Sequence, residues 1–395
     1  MSNNTSNRSR IGYIAFILLL IILNFTPKIK YSCFADNDNL ESELSENVDE
    51  ILGNIDLSEL DNNSICDPMI NSSMKDFVKL VLSGDYQSDY NSVISLIKNQ
   101  FSEKIRNNLR FFISLLIITI IFVIFKNFCE YKFGDLKTSV KIIFSFLLAT
   151  LILVFVKSFF EELSSVVSDL FSFADILFPI LIGLLTLSGS AKSATVFSSF
   201  SVFLLETGSY IIRFILLPLS LSILLLSLFG SIFANGSFSK INGLFKLIFK
   251  YTIIIFFAVF GLLSTVNIFS SSMRDGLNLK LTKFAIKNYV PILGGYVSEG
   301  FDFVYTCSVL VKNALGVCSI IIIVFKILSP VLSIFVFSLM FKFVSCLSGL
   351  IGDGAFSGMF DDVSKALTNF LTIIVGAFLI LFVFIVLVMM CVGVV

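Results

Sequence analysis

The chain has no histidine and no tryptophan, and only 14% of its 395 residues are charged. Without imidazole it lacks the ordinary proton shuttle near neutral pH and the usual transition-metal ligand. Its 28 basic and 28 acidic side chains cancel, so no net field draws in nucleic acid. There is no Walker-type glycine loop, which argues against an NTPase acting alone. No nucleophile motif is present, so no catalytic residue is assigned and no metal or cofactor is expected. Seven cysteines, at 33, 66, 129, 307, 318, 346 and 391, form no C-x-x-C pair. Most lie in or beside apolar runs and read as small buried hydrophobes. The lack of Trp beside 46 Phe and abundant Ile and Asn fits an AT-rich genome.

What is present is apolar length. Hydrophobic residues make up 56% of the chain and mean hydropathy is +0.95. Phe370 to Val395 is 26 residues without a charge, longer than the ~20 needed to cross a bilayer as a helix. The expected fold is therefore all-α, a polytopic helical membrane protein in contact with lipid.

Arg8 and Arg10 precede an apolar stretch from Ile11 to Phe25, and Cys33-Phe34-Ala35 has small residues at its first and third positions. Residues 1–35 thus read as a secretory signal, with an uncleaved anchor as the alternative. Residues 36 to 67 hold eleven acidic side chains and no basic one, the composition of a solvated, disordered stretch. Between Met74 and Phe101, apolar residues recur at helical spacing around Ser83-Gly84-Asp85, predicting two short amphipathic helices joined at Gly84. Residues 36–108 form an extracytoplasmic segment on this reading.

Nine apolar runs follow: Phe111–Phe125, Ile142–Val156, Phe171–Ser188, two within Ala194–Phe233 that turn near Pro218, Leu247–Ile268, Phe303–Phe325, Leu328–Leu347 and Asn369–Cys391. About eight are expected to span, since Asp175 and Pro179 make Phe171–Ser188 a candidate re-entrant element. Lys126, Lys132, Lys137 and Lys141 place the first loop in the cytoplasm. Glu161, Glu162 and Asp169 then fall in an acidic outer loop. Topology after residue 269 stays open, because Arg274, Lys280, Lys283 and Lys287 sit outside on a simple count.

An internal duplication is also legible. Phe173-Ala174 leads to Pro179 and Gly183, and Phe284-Ala285 leads to Pro291, Gly294 and Gly295. Each first proline is 39 residues before a second, Pro218 or Pro330, with Arg213 or Lys326 just ahead of it. The division is a two-helix hairpin at 109–160 and halves of about 112 residues at 161–268 and 269–395, of the kind that enclose a pathway at their junction. Glu206 and Arg213, seven residues apart, share a helix face. With Lys312 and Lys342 they are either packing pairs or the lining of a polar path.

Lys283-Phe284, Asn288 to Gly294 and Leu310-Val311-Lys312-Asn313-Ala314-Leu315-Gly316 resemble the stage III sporulation protein AE family. Ser83-Gly84-Asp85, Ser188-Gly189-Ser190 and Leu217-Pro218 are similar to it as well, so the resemblance covers nearly the whole chain. It implies a non-enzymatic membrane subunit of the channel complex joining mother cell and forespore, needed for late forespore gene expression. Implied partners are the AA ATPase, the membrane components AB, AC, AD and AF, the ring-forming AG and AH, and the forespore Q protein. The implied location is the mother-cell-derived membrane around the forespore. An autonomous secondary transporter using Glu206, Arg213 and Lys312 is the other reading of these residues.

Overall fold

A computed structural model describes residues 48, 50–53, 55–61, 73–82, 90–132, 136–232, 237–289, 294–350 and 354–391. The expected signal at 1–35 and Pro291 lie outside them. Every regular element among the described residues is helical. In chain order they are α1 (Ser58–Asp61), α2 (Met74–Leu82), α3 (Tyr90–Lys132), α4 (Leu136–Leu187), α5 (Ala191–Tyr210), a π-helical segment (Ile211–Leu216), α6 (Leu217–Ile232), α7 (Ser237–Tyr289), α8 (Gly294–Leu350) and α9 (Gly354–Met390).

Among the described residues, six apolar helical stretches are long enough to cross a membrane: Ile97–Lys126, Ser139–Leu187, Ala191–Gly230, Phe238–Thr265, Tyr305–Leu350 and Phe356–Met390. The nine runs expected from hydropathy collapse onto these six because three pairs fuse. The acidic outer loop at 161–169 is one correction: it is helical, inside α4. Its sequence contains no Gly or Pro to break a helix, and Leu163, Val167 and Leu170, buried at helical spacing, hold it against the core. With 52 residues, α4 is about 78 Å long, more than twice the ~30 Å hydrocarbon thickness.

The turn expected near Pro218 is likewise replaced by continuing helix. Proline cannot donate to the carbonyl four residues back and its ring crowds that carbonyl. The backbone widens into the π segment immediately before Pro218 and carries on. Pro179 and Pro330 sit inside α4 and α8. Serine hydroxyls near the prolines take up backbone carbonyls, Ser222 donating to Pro218 O at 2.9 Å and Ser333 to Ser329 O at 3.0 Å. A true break comes at Ser188-Gly189-Ser190. Gly189 has φ 69°, and the Ser190 and Gly189 amides donate back to Leu185 O and Thr186 O at 3.2 and 3.0 Å. This is a Schellman cap, whose left-handed position favours glycine.

The amino-terminal region departs from expectation twice. The second amphipathic helix is no separate element but the beginning of α3, continuous with the first span. Part of the acidic stretch is ordered: Leu52, Leu57 and Leu60 are buried, and α1 packs on α4. Asp56 accepts the Ser58 amide at 3.0 Å as a cap, and its hydrogen bond from the Ser58 hydroxyl, with that amide, holds its carboxyl below the usual range. In α2, Met74, Phe77 and Val78 are buried, and the helix lies on α8.

At the centre is α9, which packs against α4, α5, α6, α7 and α8. It runs antiparallel to α8 in a fixed register. Ser338 and Ser364 exchange hydroxyl-to-carbonyl bonds at 3.3 and 2.9 Å. Seven residues further along α8 and seven back along α9, the Ser345 hydroxyl donates to Ser357 O at 2.8 Å. Small side chains at two-turn intervals let the backbones approach. Phenylalanine fills the wider gaps: Phe111 stacks on Phe155 at 4.4 Å, and Phe178 on Phe384 at 3.9 Å.

Candidate functional site: a charged belt on α4

The middle of α4 draws basic groups from three other helical segments. Lys104 of α3 pairs with Glu162 at 3.1 Å. Lys326 of α8 pairs with Asp169 at 3.0 Å, with the two side chains 17% and 29% exposed. From the π segment, Arg213 donates to Ser168 O at 3.2 Å and lies over the Phe171 ring, 5.8 Å from its centroid. The two basic residues that precede the second prolines of the proposed repeat therefore dock on adjacent residues of one helix. Pairing across helices offsets part of the cost of holding charge away from water.

The freed carbonyls fall in the same region. Proline at 179 and 330 leaves the carbonyls of Asp175 and Lys326 without their helical donor, and in the π register before Pro218, where the Leu217 amide goes to Ile212 O, the carbonyl left without a donor is that of Arg213. Each is on, or next to, a residue of the belt. Asp175 is within electrostatic reach of both Glu206 and Arg213, and it is exposed, as is Glu206. Among the described residues neither carboxylate forms an ion pair within 4.0 Å.

Lys312 is elsewhere. It is fully buried in α8, and its ammonium donates to Cys391 O at 2.9 Å, just past the end of α9. A cation there complements the carbonyl end of the helix. Ser308 Oγ and Asn313 Oδ1, near it on α8, are buried with no hydrogen-bond partner among the described residues. Gly316, one turn on, is crowded: an added Cβ would meet Met389 Sδ at 2.6 Å. Lys342 faces Asp361 of α9 at 3.8 Å. Glu206 and Arg213 thus share one neighbourhood, while Lys312 stands apart. Pro179, Pro218 and Pro330 lie within helical runs, and Gly294 opens α8.

A model of the family described as stage III sporulation protein AE matches residues 72–393. The chain belongs to that family. A curated member, stage III sporulation protein AE of Bacillus subtilis (strain 168), is 26% identical over 203 residues, 51% of this chain and 51% of that protein. The chain thus spans about half the length of the curated relative it matches. No solved structure matches. Family membership and the six apolar helices together make this a sporulation-family, multi-pass membrane protein.

The sequence pointed to Glu206 and Arg213 but missed what they adjoin. Asp169 and Asp175 were visible only as a loop acid and a helix irregularity, and Lys326 only as a residue before a proline. A readable signal was present: Glu161, Ser165, Ser168, Ser172 and Asp175 recur every three or four residues, the spacing of a helix face rather than of a loop. Among the described residues no group of three or more Cys, Asp or Glu is placed to hold a metal ion.

Proposed function

We propose that this chain is an integral membrane subunit of the sporulation channel or secretion complex linking mother cell and forespore, required for late forespore development. The observation that carries this reading is the belt. Asp169 and Glu162 have fixed cationic partners on α8 and α3, an arrangement suited to a stable wall rather than to a site that binds and releases its ion each cycle. The chain supplies the wall and a partner supplies the energy. That partner is the AA ATPase, with AB, AC, AD, AF, AG, AH and the forespore Q protein completing the assembly in the membrane around the forespore. A signal at 1–35, an outward acidic segment and two repeated halves after the hairpin at 109–160 complete the proposed layout.

A second reading, an autonomous secondary transporter, is favoured by the grouping of Asp175, Glu206 and Arg213. Deletion separates the two. On the channel reading, deleted cells grow normally and arrest sporulation after engulfment. A growth defect on a single nutrient with normal spore yield would favour the transporter instead.

A further inference from the structure

Among the described residues, Lys312 is the only charged side chain that is fully buried. It stands about 10 Å inside the apolar stretch of α8 that opens at Tyr305. A long side chain on a helix leans toward the N-terminus, over the residue four positions back. For Lys312 that residue is Ser308. Ser308 is also fully buried, and its Oγ has no hydrogen-bond partner among the described residues. The ammonium and the hydroxyl therefore share one dry helix face without bonding to each other.

An ammonium has three hydrogens to donate. One goes to Cys391 O at 2.9 Å; among the described residues the other two meet no acceptor, and no carboxylate pairs with the charge. The carbonyl end of α9 contributes about half a unit of negative charge, which leaves the rest unmatched. The Cys391 thiol lies within electrostatic reach, but a thiol is ordinarily protonated at neutral pH. Buried polar groups without partners mark the place of a water or an ion. A water would satisfy the hydrogen bonds and leave the charge; an anion accepting from Lys312 Nζ and Ser308 Oγ satisfies both. Asn313, beside the lysine, has its buried Oδ1 unpartnered as well. Reversing that amide turns the acceptor into a donor without moving the chain. Space is restricted on the far side, since Met389 Sδ lies 2.6 Å from where a Cβ on Gly316 would be.

We infer that Lys312 and Ser308 form a buried binding site for a small monovalent anion of the halide class, held between α8 and the end of α9. The site is separate from the charged belt on α4 and does not depend on the channel reading. Its consequence is mechanical. Lys312 fastens the last carbonyl of α9, the central helix, and an anion beside it keeps that lysine charged in a place where burial works against charge. Occupancy thus stabilises the packing of α9 on α8, and stability rises with the concentration of an ion that binds only the folded chain.

The test follows thermal unfolding of the full-length chain in detergent while sodium chloride or bromide replaces sodium gluconate at constant ionic strength. The midpoint of the wild-type chain is expected to climb by several degrees and to level off as the site fills. Lys312→Met is expected to abolish the halide response. Because that variant can fail to fold, two changes at Ser308 keep the lysine in place. Ser308→Ala removes one donor and should raise the halide concentration needed by about tenfold or more. Ser308→Glu puts a carboxylate four residues ahead of the lysine, the favoured order for a helical ion pair, and should give a chain that is stable in gluconate and indifferent to halide. A wild-type midpoint that is the same in chloride and gluconate would overturn the site. So would a halide response that survives unchanged in Ser308→Ala and Ser308→Glu, since the ion would then bind elsewhere. If the wild type ignores halide and Cys391→Ala loses as much stability as Lys312→Met, the counter-charge is the thiol's and the anion site is discarded.

Discussion

Both α9 and α7 are apolar enough to span a bilayer, yet 61% of the most apolar stretch of α9 is buried in protein and only 17% of that of α7 is. Hydropathy separates water from everything else; it does not separate lipid from protein. The helix that goes to the centre is marked by small residues at packing positions, such as Ser357, Ser364 and Gly376, where an added Cβ at 376 would come within 3.3 Å of Phe257. The peripheral helix offers large side chains to the outside, among them Leu244, Ile255 and Leu262. Burial in a membrane protein follows the fit between surfaces, since acyl chains are as apolar as leucine.

The largest expected effect puts that contrast at risk directly. Phe384 of α9 is fully buried among Phe178, Phe197 and Phe200. Truncation to alanine leaves a cavity that lipid cannot enter, with a cost on the order of 3 kcal/mol from lost packing. Leu262→Ala on α7 exchanges one lipid contact for another and should move stability by less than about 0.5 kcal/mol. Unfolding midpoints in mixed detergent micelles measure both, and equal losses would break the distinction between the two helices.

One step outward from α9, the Lys326–Asp169 pair joins α8 to α4. Replacing Lys326 by Met strands a partly buried carboxylate, at a cost of about 1 to 3 kcal/mol once its partial exposure is discounted. The exchange of Lys326→Asp with Asp169→Lys should recover much of that loss, because the partners face each other across the interface. A double-mutant cycle reads the coupling. Additive losses would show that the belt holds the helices by packing alone.

The helical class, the membrane habit and the apolar runs were legible because a bilayer imposes length and composition on whatever crosses it. Helix continuity was not. Charges at 161–169 resemble an exit from the membrane, yet Leu163, Val167 and Leu170 carry the core contact straight through them. The prolines misled for a related reason: Pro218 forbids one hydrogen bond, but the backbone widens into a π turn before it and the helix continues. Of the charged residues, Glu206 and Arg213 could be placed on one face from their spacing. The docking of Arg213 and Lys326 on Ser168 and Asp169 could not, since it depends on contacts 45 or more residues apart in sequence.

The smallest effect sharpens the comparison most finely, because it uses one residue type in two settings. Ser338 of α8 bonds across to Ser364 of α9, while Ser264 of α7, among the described residues, bonds only to its own helix, at Phe260 O. Interhelical hydrogen bonds in membranes average ~0.6 kcal/mol, so Ser338→Ala should cost about that much. An intrahelical serine competes with an existing backbone bond and contributes little to tertiary stability, so Ser264→Ala should cost close to nothing. If both substitutions prove silent, the serine register between α8 and α9 is a consequence of close approach. If only Ser338→Ala destabilises, hydroxyl pairing is part of what selects α9 for the centre, a role that a hydropathy scale has no means to register.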